Sequence, residues 1–87
     1  MMTKKKWFVY IVECSDNTLY TGVTTDIPRR VLEHNEGSRG AKYTRSRRPV
    51  SLVYWEECED RSSAQKAESY FKKLTKQKKV QLIYEGR

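Results

Sequence analysis

The stretch VYIVECSDNTLYTG (residues 9–22) decides the fold, because it joins two apolar segments through a short polar turn. Residues 7–14 (WFVYIVEC) are apolar, aromatic and β-branched, which predicts a buried strand. SDN (15–17) is typical of a turn, and residues 18–24 (TLYTGVT) predict a second strand. The short connection makes this pair of strands an antiparallel hairpin.

The register of the hairpin decides whether Tyr10 and Tyr20 share a face of the sheet. A loop of three residues would pair Tyr10 with Thr24 and place both phenols on one face together with Gly22. A loop of two residues would put the tyrosines on opposite faces, and the sequence leaves both registers open. Glycine within a strand often marks a close backbone approach, so Gly22 is a candidate contact for a ligand.

The remaining segments are predicted as a helix over 25–35 capped by Thr25 or Asp26, a polar loop over 38–49, a third strand over 50–57, a helix over 60–74 and a short helix over 76–86. Ser62 and Gln65 have the spacing of a capping box at the start of the second helix. The expected fold is α+β, a three-stranded antiparallel sheet flanked by helices in a single domain over residues 1–87.

Composition favours a polyanionic partner, because 18 lysines and arginines give the 87-residue chain a net charge of +7. Nucleic acid is the first candidate and an anionic membrane the second. No apolar run approaches the ~20 residues of a membrane span, and the basic start MMTKKK is not followed by a signal-peptide pattern. Cys14, Cys58 and the single His34 are too few for the usual four-ligand zinc site, so we expect reduced cysteines and a cytoplasmic location.

Two basic clusters carry much of this charge. The first contains an aromatic residue and five cations without an acid, and its members are Arg39, Lys42, Tyr43, Arg45, Arg47 and Arg48. That mixture suits phosphate contacts and base stacking, whereas a charge run such as Lys72–Lys79, which includes Lys73, is more often only a solvated face.

Three polar residues occupy unusual positions on the predicted helices. Glu68 falls on the apolar stripe of the second helix. In a structural reading, it extends to solvent or pairs with a lysine. In a functional reading, it is a metal ligand or a catalytic carboxylate at the edge of the core. Arg30 and His34 lie one helical turn apart and can approach the sheet together. The alternative reading is a surface partner for Arg30 and a dipole-stabilised C-terminal cation for His34.

These residues resemble the GIY-YIG nuclease superfamily, and the resemblance extends over about residues 7–84. The family's first strand has the motif Gly-Ile-Tyr, which corresponds to FVY ending at Tyr10. Its second strand has the motif Tyr-Ile-Gly, which corresponds to YTG at 20–22. The family arginine matches Arg30 in DIPRRVLEHN, the His-Asn pair matches His34 and Asn35, and the metal-binding glutamate matches Glu68 in AQKAESYFKKL. The chain departs from the motif at Phe8, Val9 and Thr21, which are backbone and packing positions, and is similar to the small stand-alone bacterial members.

The resemblance implies a metal-dependent endonuclease acting on nucleic acid, with DNA favoured over RNA, in repair or recombination. Glu68 would hold one divalent ion, expected to be magnesium, and Arg30 would neutralise the phosphate. Tyr10 and Tyr20 would position or deprotonate water, with His34 as an auxiliary proton carrier. Family members with known cutting roles carry additional DNA-binding domains, so a protein partner is a candidate source of targeting.

Two other functions fit the same residues. A nucleic-acid-binding module with a nuclease fold would use the arginine-rich segment and both tyrosines without cutting. A protein-interaction domain would use exposed aromatics such as Trp55 or Tyr84. Glu68 favours the enzyme, because a carboxylate repels phosphate unless a cation lies between them.

Overall fold

The computed structural model describes residues 6–85. Its elements in chain order are β1 (Trp7–Glu13), β2 (Leu19–Thr24), α1 (Ile27–Asn35), α2 (Lys42–Arg45), β3 (Ser51–Cys58), α3 (Arg61–Lys73) and α4 (Lys76–Glu85). The MMTKK start, the outer ends of the predicted 1–87 domain and the predicted helical position Gly86 lie outside the described residues.

The three strands form one antiparallel sheet in the order β2-β1-β3, which confirms the predicted α+β fold. β1 is central and its side chains are covered on both faces, which explains why its sequence is apolar without alternation. α2 was not predicted, because a helix of four residues within a polar segment has no hydrophobic period.

The hairpin register is shifted by two residues from the one that a three-residue loop would give. Tyr10 lies opposite Gly22, and Tyr20 lies opposite Val12, so the Tyr10–Thr24 pair of that alternative does not form. Because side chains alternate with a period of two, this shift leaves Tyr10, Tyr20 and Gly22 on one face, as the three-residue loop required.

Helices cover both faces of the sheet. Val9 and Ile11 of β1 pack against Phe71 of α3 and Ile83 of α4. Tyr10 belongs to the opposite face, where Val12, Cys14, Tyr20 and Val31 form a second cluster under α1. The central strand therefore has an apolar core on one side and a core with phenol groups on the other.

Aspartate side chains cap the starts of α1 and α3. Asp26 is the N-cap of α1, and its carboxylate accepts a hydrogen bond from the Arg29 backbone N–H at 3.1 Å. The Asp60 carboxylate accepts from the Ser63 N–H at 2.8 Å and begins α3, so the predicted Ser62–Gln65 capping box is wrong. Within the described residues, no helix is both long enough and apolar enough to cross a membrane.

Candidate active site

Four of the predicted site residues meet on the face of the sheet beneath α1. The Tyr10 hydroxyl lies 2.7 Å from Nε2 of His34, and the Tyr20 ring lies edge-on to the His34 ring with centroids 5.4 Å apart. Arg30 interacts with the Tyr10 hydroxyl, and its positive charge partly offsets the effect of burial, which raises the pKa of the phenol. The pairing of β1 with β2 aligns the two tyrosines, and the helical repeat of α1 brings Arg30 and His34 to them.

Burial makes His34 a neutral imidazole. Its side chain is 0% exposed, and desolvation, reinforced by the charges of Arg30 and Arg48, lowers its pKa from 6.5 to about 4. Glu33 opposes this shift only in part. Nδ1 lies 2.9 Å from the Thr44 hydroxyl, so both ring nitrogens of His34 have a hydrogen-bond partner. The structure therefore does not support a charged helix C-terminal histidine.

Tyr10 is a protonated phenol held against the backbone of β2. Its side chain is 1% exposed, and burial raises its pKa to about 12, with Arg30 opposing and Tyr20 and Glu68 adding to the rise. A methyl group at Gly22 would lie 2.5 Å from the Tyr10 hydroxyl oxygen. The close approach at Gly22 is thus made by Tyr10 itself, and a contact between Gly22 and nucleic acid stays a prediction.

Arg30 is held in place while remaining partly accessible. Its Nη1 donates to the Glu33 carboxylate at 3.0 Å and to the backbone carbonyl of Arg39 at 2.8 Å. Its side chain is 26% exposed, so one anion can still approach it. A guanidinium held in this way suits the forked recognition of a phosphate.

Glu68 lies in another layer of the fold, and the described part of the structure shows no direct contact between it and the other four predicted catalytic residues. It lies on α3, which packs against the face of the sheet opposite to Tyr10. Its charge nevertheless contributes to the raised pKa of Tyr10, so the carboxylate is within electrostatic reach of the phenol. It also pairs with Lys72 at 3.4 Å, which is the structural alternative foreseen from the sequence.

The described residues offer no ready-made protein cage for a metal ion. Among residues 6–85, no group of three or more His, Cys, Asp or Glu side chains could hold a metal. A divalent ion such as magnesium needs only one or two carboxylates when water and substrate phosphate complete its shell, and metal binding by the partly exposed Glu68 stays a prediction. Cys14 and Cys58 are both free.

Two arginines of the predicted nucleic-acid-binding segment hold the segment itself together. Arg48 donates to the carbonyls of His34 at 2.6 Å and Gly37 at 2.8 Å. Arg45 donates to the Ser38 carbonyl at 2.6 Å. These bonds fasten the chain between α1 and β3 and occupy donors that a phosphate would need, so phosphate binding by Arg45 and Arg48 stays a prediction.

Arg47 joins this segment to the hairpin turn and to the tyrosines. Its Nε lies 3.0 Å from the Asp16 carboxylate, and its guanidinium lies 4.0 Å from the centre of the Tyr43 ring. Tyr43 in turn stacks on Tyr20 at 5.8 Å. The column formed by Arg47, Tyr43 and Tyr20 adjoins His34 and gives the site an aromatic wall.

The other predicted nucleic-acid-binding residues are exposed cations on two elements. Lys42 lies in α2, Arg39 lies just before it, and Lys73 lies at the end of α3. No hydrogen bond or ion pair occupies the side chains of these three residues within the described part of the chain, so they can follow a phosphate backbone.

Sequence reasoning missed the roles of Thr44 and Asn35. The Asn35 side chain donates to the Val50 carbonyl at 3.0 Å and accepts from the Val50 N–H at 2.7 Å, which ties α1 to the start of β3. Thr44 is 0% exposed and contacts His34. In the sequence, only the His-Asn pair of the resemblance points to Asn35. A threonine within a polar segment has no pattern that could reveal its burial.

An apolar groove lies apart from this polar cluster, at the start of α1. Its volume is about 450 Å³, and its lining includes Phe8, Leu52 and the exposed Trp55. The groove is lined mainly by apolar side chains and by none of the predicted catalytic or nucleic-acid-binding residues, so the candidate active site is the cluster around His34.

Known proteins are similar to this chain in sequence and in fold. The family model of the GIY-YIG catalytic domain matches residues 6–81. A UPF0213 protein of Desulfotalea psychrophila is 60% identical over 77 residues, which cover 88% of this chain and 70% of the relative.

Two structures solved by solution NMR are also similar. A protein of E. faecalis has a TM-score of 0.61 at 50% identity, covering 94% of this chain and 88% of its own. A UPF0213 protein of Bacillus halodurans has a TM-score of 0.58 at 43% identity, covering 91% and 83%.

Proposed function

This chain belongs to the GIY-YIG family, and we propose on that basis that it is a metal-dependent endonuclease that hydrolyses phosphodiester bonds in nucleic acid. DNA is the proposed substrate in preference to RNA, and repair or recombination is the proposed setting. The observation that carries the proposal is the contact of Tyr10 with His34 beside a partly exposed Arg30.

Hydrolysis needs a deprotonated water, a neutralised phosphate and a stabilised leaving oxygen. Arg30 supplies the positive charge, and its two bonds to Glu33 and the Arg39 carbonyl keep the guanidinium oriented before substrate arrives. Because the guanidinium is already oriented, little ordering is required when phosphate binds.

Tyr10 and His34 act together on the attacking water. At neutral pH the buried phenol is protonated and the imidazole is neutral, since their pKa values are about 12 and about 4. Tyr10 can therefore accept a proton from water as it gives its own proton to Nε2 of His34. This transfer avoids a free phenolate, and Tyr20 lies edge-on to the imidazole and positions it.

Glu68 would hold a divalent ion together with water and phosphate oxygens. Such an ion supplies Lewis-acid stabilisation of the charge that develops on the phosphate and the leaving oxygen. GIY-YIG nucleases generally depend on a divalent metal, and magnesium is the proposed one here. Displacement of Lys72 from Glu68 would free the carboxylate for that purpose.

Exposed cations outside the cluster would bind the flanking phosphates. Arg39, Lys42 and Lys73 are proposed for this role, with the aromatic column of Tyr20 and Tyr43 available to an unpaired base at its edge. A protein partner that supplies targeting remains part of the proposal.

The test is cleavage of end-labelled DNA and RNA in single-stranded, duplex, flap and branched forms, with magnesium, manganese or chelator. We expect metal-dependent cuts from the wild type, none from Glu68→Gln, and unchanged cuts from the control Glu57→Gln. Glu57 is an exposed acid that pairs with Lys6 and is not a member of the cluster around His34, so the control makes the same charge change outside the candidate site.

Binding and folding measurements separate the rival functions. Both variants should bind nucleic acid and melt as the wild type does. Salt-dependent binding without any cleavage by the wild type would indicate a binding module instead. Loss of folding in Glu68→Gln would assign Glu68 a structural role.

A further inference from the structure

Thr44 makes two hydrogen bonds whose directions depend on one another. Its hydroxyl oxygen lies 2.9 Å from the Ala41 carbonyl oxygen and 2.9 Å from Nδ1 of His34. A carbonyl can only accept, so the single hydroxyl hydrogen of Thr44 goes to Ala41. The Thr44 oxygen is then an acceptor toward the imidazole, and Nδ1 carries the hydrogen.

We propose that Thr44 is a positioning residue that holds His34 in the Nδ1–H tautomer and so keeps Nε2 free to accept the proton of Tyr10. Nε2 has its lone pair directed at the Tyr10 hydroxyl, 2.7 Å away. Hydrogens therefore run in one direction along the buried chain, from Tyr10 to His34, from His34 to Thr44 and from Thr44 to Ala41. The effect on catalysis rests on the proposed nuclease function, but the tautomer does not.

The segment that carries Thr44 is built to approach His34 closely. A methyl group at Gly40 would lie 2.6 Å from the Glu33 carbonyl oxygen and 3.0 Å from the His34 Cα, so only glycine permits this packing against α1. Arg48 fastens the far end of the segment through its 2.6 Å bond to the His34 carbonyl. Contacts with the backbone of α1 on both sides of α2, from Gly40 before it and from the Arg48 side chain after it, thus bring Thr44 to the imidazole.

The tautomer decides whether the proton transfer can occur. In one step, a proton of the attacking water moves to the Tyr10 oxygen, and the Tyr10 proton moves to Nε2. The water oxygen bonds to phosphorus, and the bond from phosphorus to the leaving oxygen breaks. The leaving oxyanion takes a proton from bulk water, and His34 later returns its extra proton to the resulting hydroxide. The Nε2–H tautomer has no lone pair facing Tyr10 and stops this sequence.

His34 is the only histidine of the chain, which makes the tautomer directly measurable. In protein labelled with ¹⁵N-histidine, proton-detected spectra assign each ring nitrogen as protonated or bare. We expect a protonated Nδ1 and a bare Nε2 in the wild type and in Thr44→Ser, which keeps the hydroxyl. We expect Thr44→Val, which removes it at nearly the same volume, to show a mixture of tautomers.

An Nε2–H tautomer in the wild type, or an unchanged Nδ1–H tautomer in Thr44→Val, would overturn the proposal. Thr44→Ala also lacks the hydroxyl and provides the same comparison if Thr44→Val does not fold. If the spectra agree with expectation but no nucleic acid is cut, the positioning by Thr44 stands and the proposed nuclease function fails.

Cleavage rates give the second readout. Thr44→Val should slow single-turnover cleavage roughly 10- to 100-fold, the range found when the hydrogen-bond partner of a metal-bound histidine is removed. Thr24→Val is the matched control, because Thr24 is also buried and hydrogen-bonded but contacts the Asp26 backbone. Equal slowing in Thr24→Val would assign the loss to stability and overturn the role in catalysis.

Discussion

Replacement of Gly22 by alanine tests the contact that places Tyr10. The added methyl group would lie 2.5 Å from the Tyr10 hydroxyl oxygen, 2.8 Å from Cζ and 3.1 Å from Cε1. All three distances are below van der Waals contact, and the ring is confined because Tyr10 is 1% exposed. The ring must therefore move, and its hydrogen bond to His34 must lengthen or break.

The expected cost follows from two effects. Overpacking of a core costs about 1–3 kcal/mol, and loss of a buried hydrogen bond adds about 1 kcal/mol. Lower backbone entropy of the unfolded chain offsets about 0.4–1 kcal/mol of that. We expect Gly22→Ala to lower the free energy of unfolding by roughly 1–3 kcal/mol and the Tm by roughly 5–20 °C.

The assay is thermal and urea unfolding in a double-mutant cycle with Tyr10→Phe. Phenylalanine removes the oxygen atom that is nearest to the new methyl group, so the two changes should couple by about 0.5 kcal/mol or more. The control is Gly37→Ala, because residue 37 has a φ of +73° but no atom within 4 Å of the added methyl. Gly37→Ala should strain only the backbone and show no coupling with Tyr10→Phe.

Two results would refute this reasoning. The first is a Tm of Gly22→Ala within 2 °C of the wild type, by the scale of about 4–8 °C for each kcal/mol. The second is full additivity with Tyr10→Phe, which would mean that the methyl group never meets the phenol.

Three other predictions concern single groups. The Thr21 hydroxyl is buried without a hydrogen-bond partner among the described residues, so Thr21→Val should raise the Tm. Thr24→Val should lower the Tm, because the Thr24 hydroxyl is bonded to the Asp26 backbone. A fall of the Tm in both variants would contradict the reasoning. His34 binds a proton less readily in the folded chain, where its pKa is about 4 rather than 6.5, so stability should fall by up to about 3 kcal/mol as the pH drops from 7 to 4. Urea unfolding should show this loss in the wild type and less of it in His34→Gln, and equal slopes would exclude His34 as its source. Arg30→Gln should reduce the cleavage rate about 100-fold or more at a Tm within a few degrees of the wild type, and wild-type turnover would remove Arg30 from the mechanism.

Local patterns in the sequence predicted most of the fold. The apolar run of β1, the turn chemistry after it and the apolar stripe of α3 each involve residues close in the chain, so composition and spacing reveal them. The same spacing indicated that Arg30 and His34 could approach the sheet together. The hairpin pattern left open whether Tyr10 and Tyr20 share a face, and the structure decided this with a register shifted by two residues from that of a three-residue loop.

Only the tertiary structure decided how these groups interact. His34 is buried because segments that lie far apart in the chain surround it. The packing of Tyr10 on Gly22 and the hydrogen bond between His34 and Thr44 also join distant segments. Their energies depend on which side chains exclude water around them, and no local pattern encodes that. For the same reason, the sequence does not reveal that Arg48 donates to the backbone carbonyls of His34 and Gly37, and its phosphate contact stays a prediction. The sequence alone thus determined which chemical groups are present and on which elements they lie, whereas long-range packing determined their protonation and their partners.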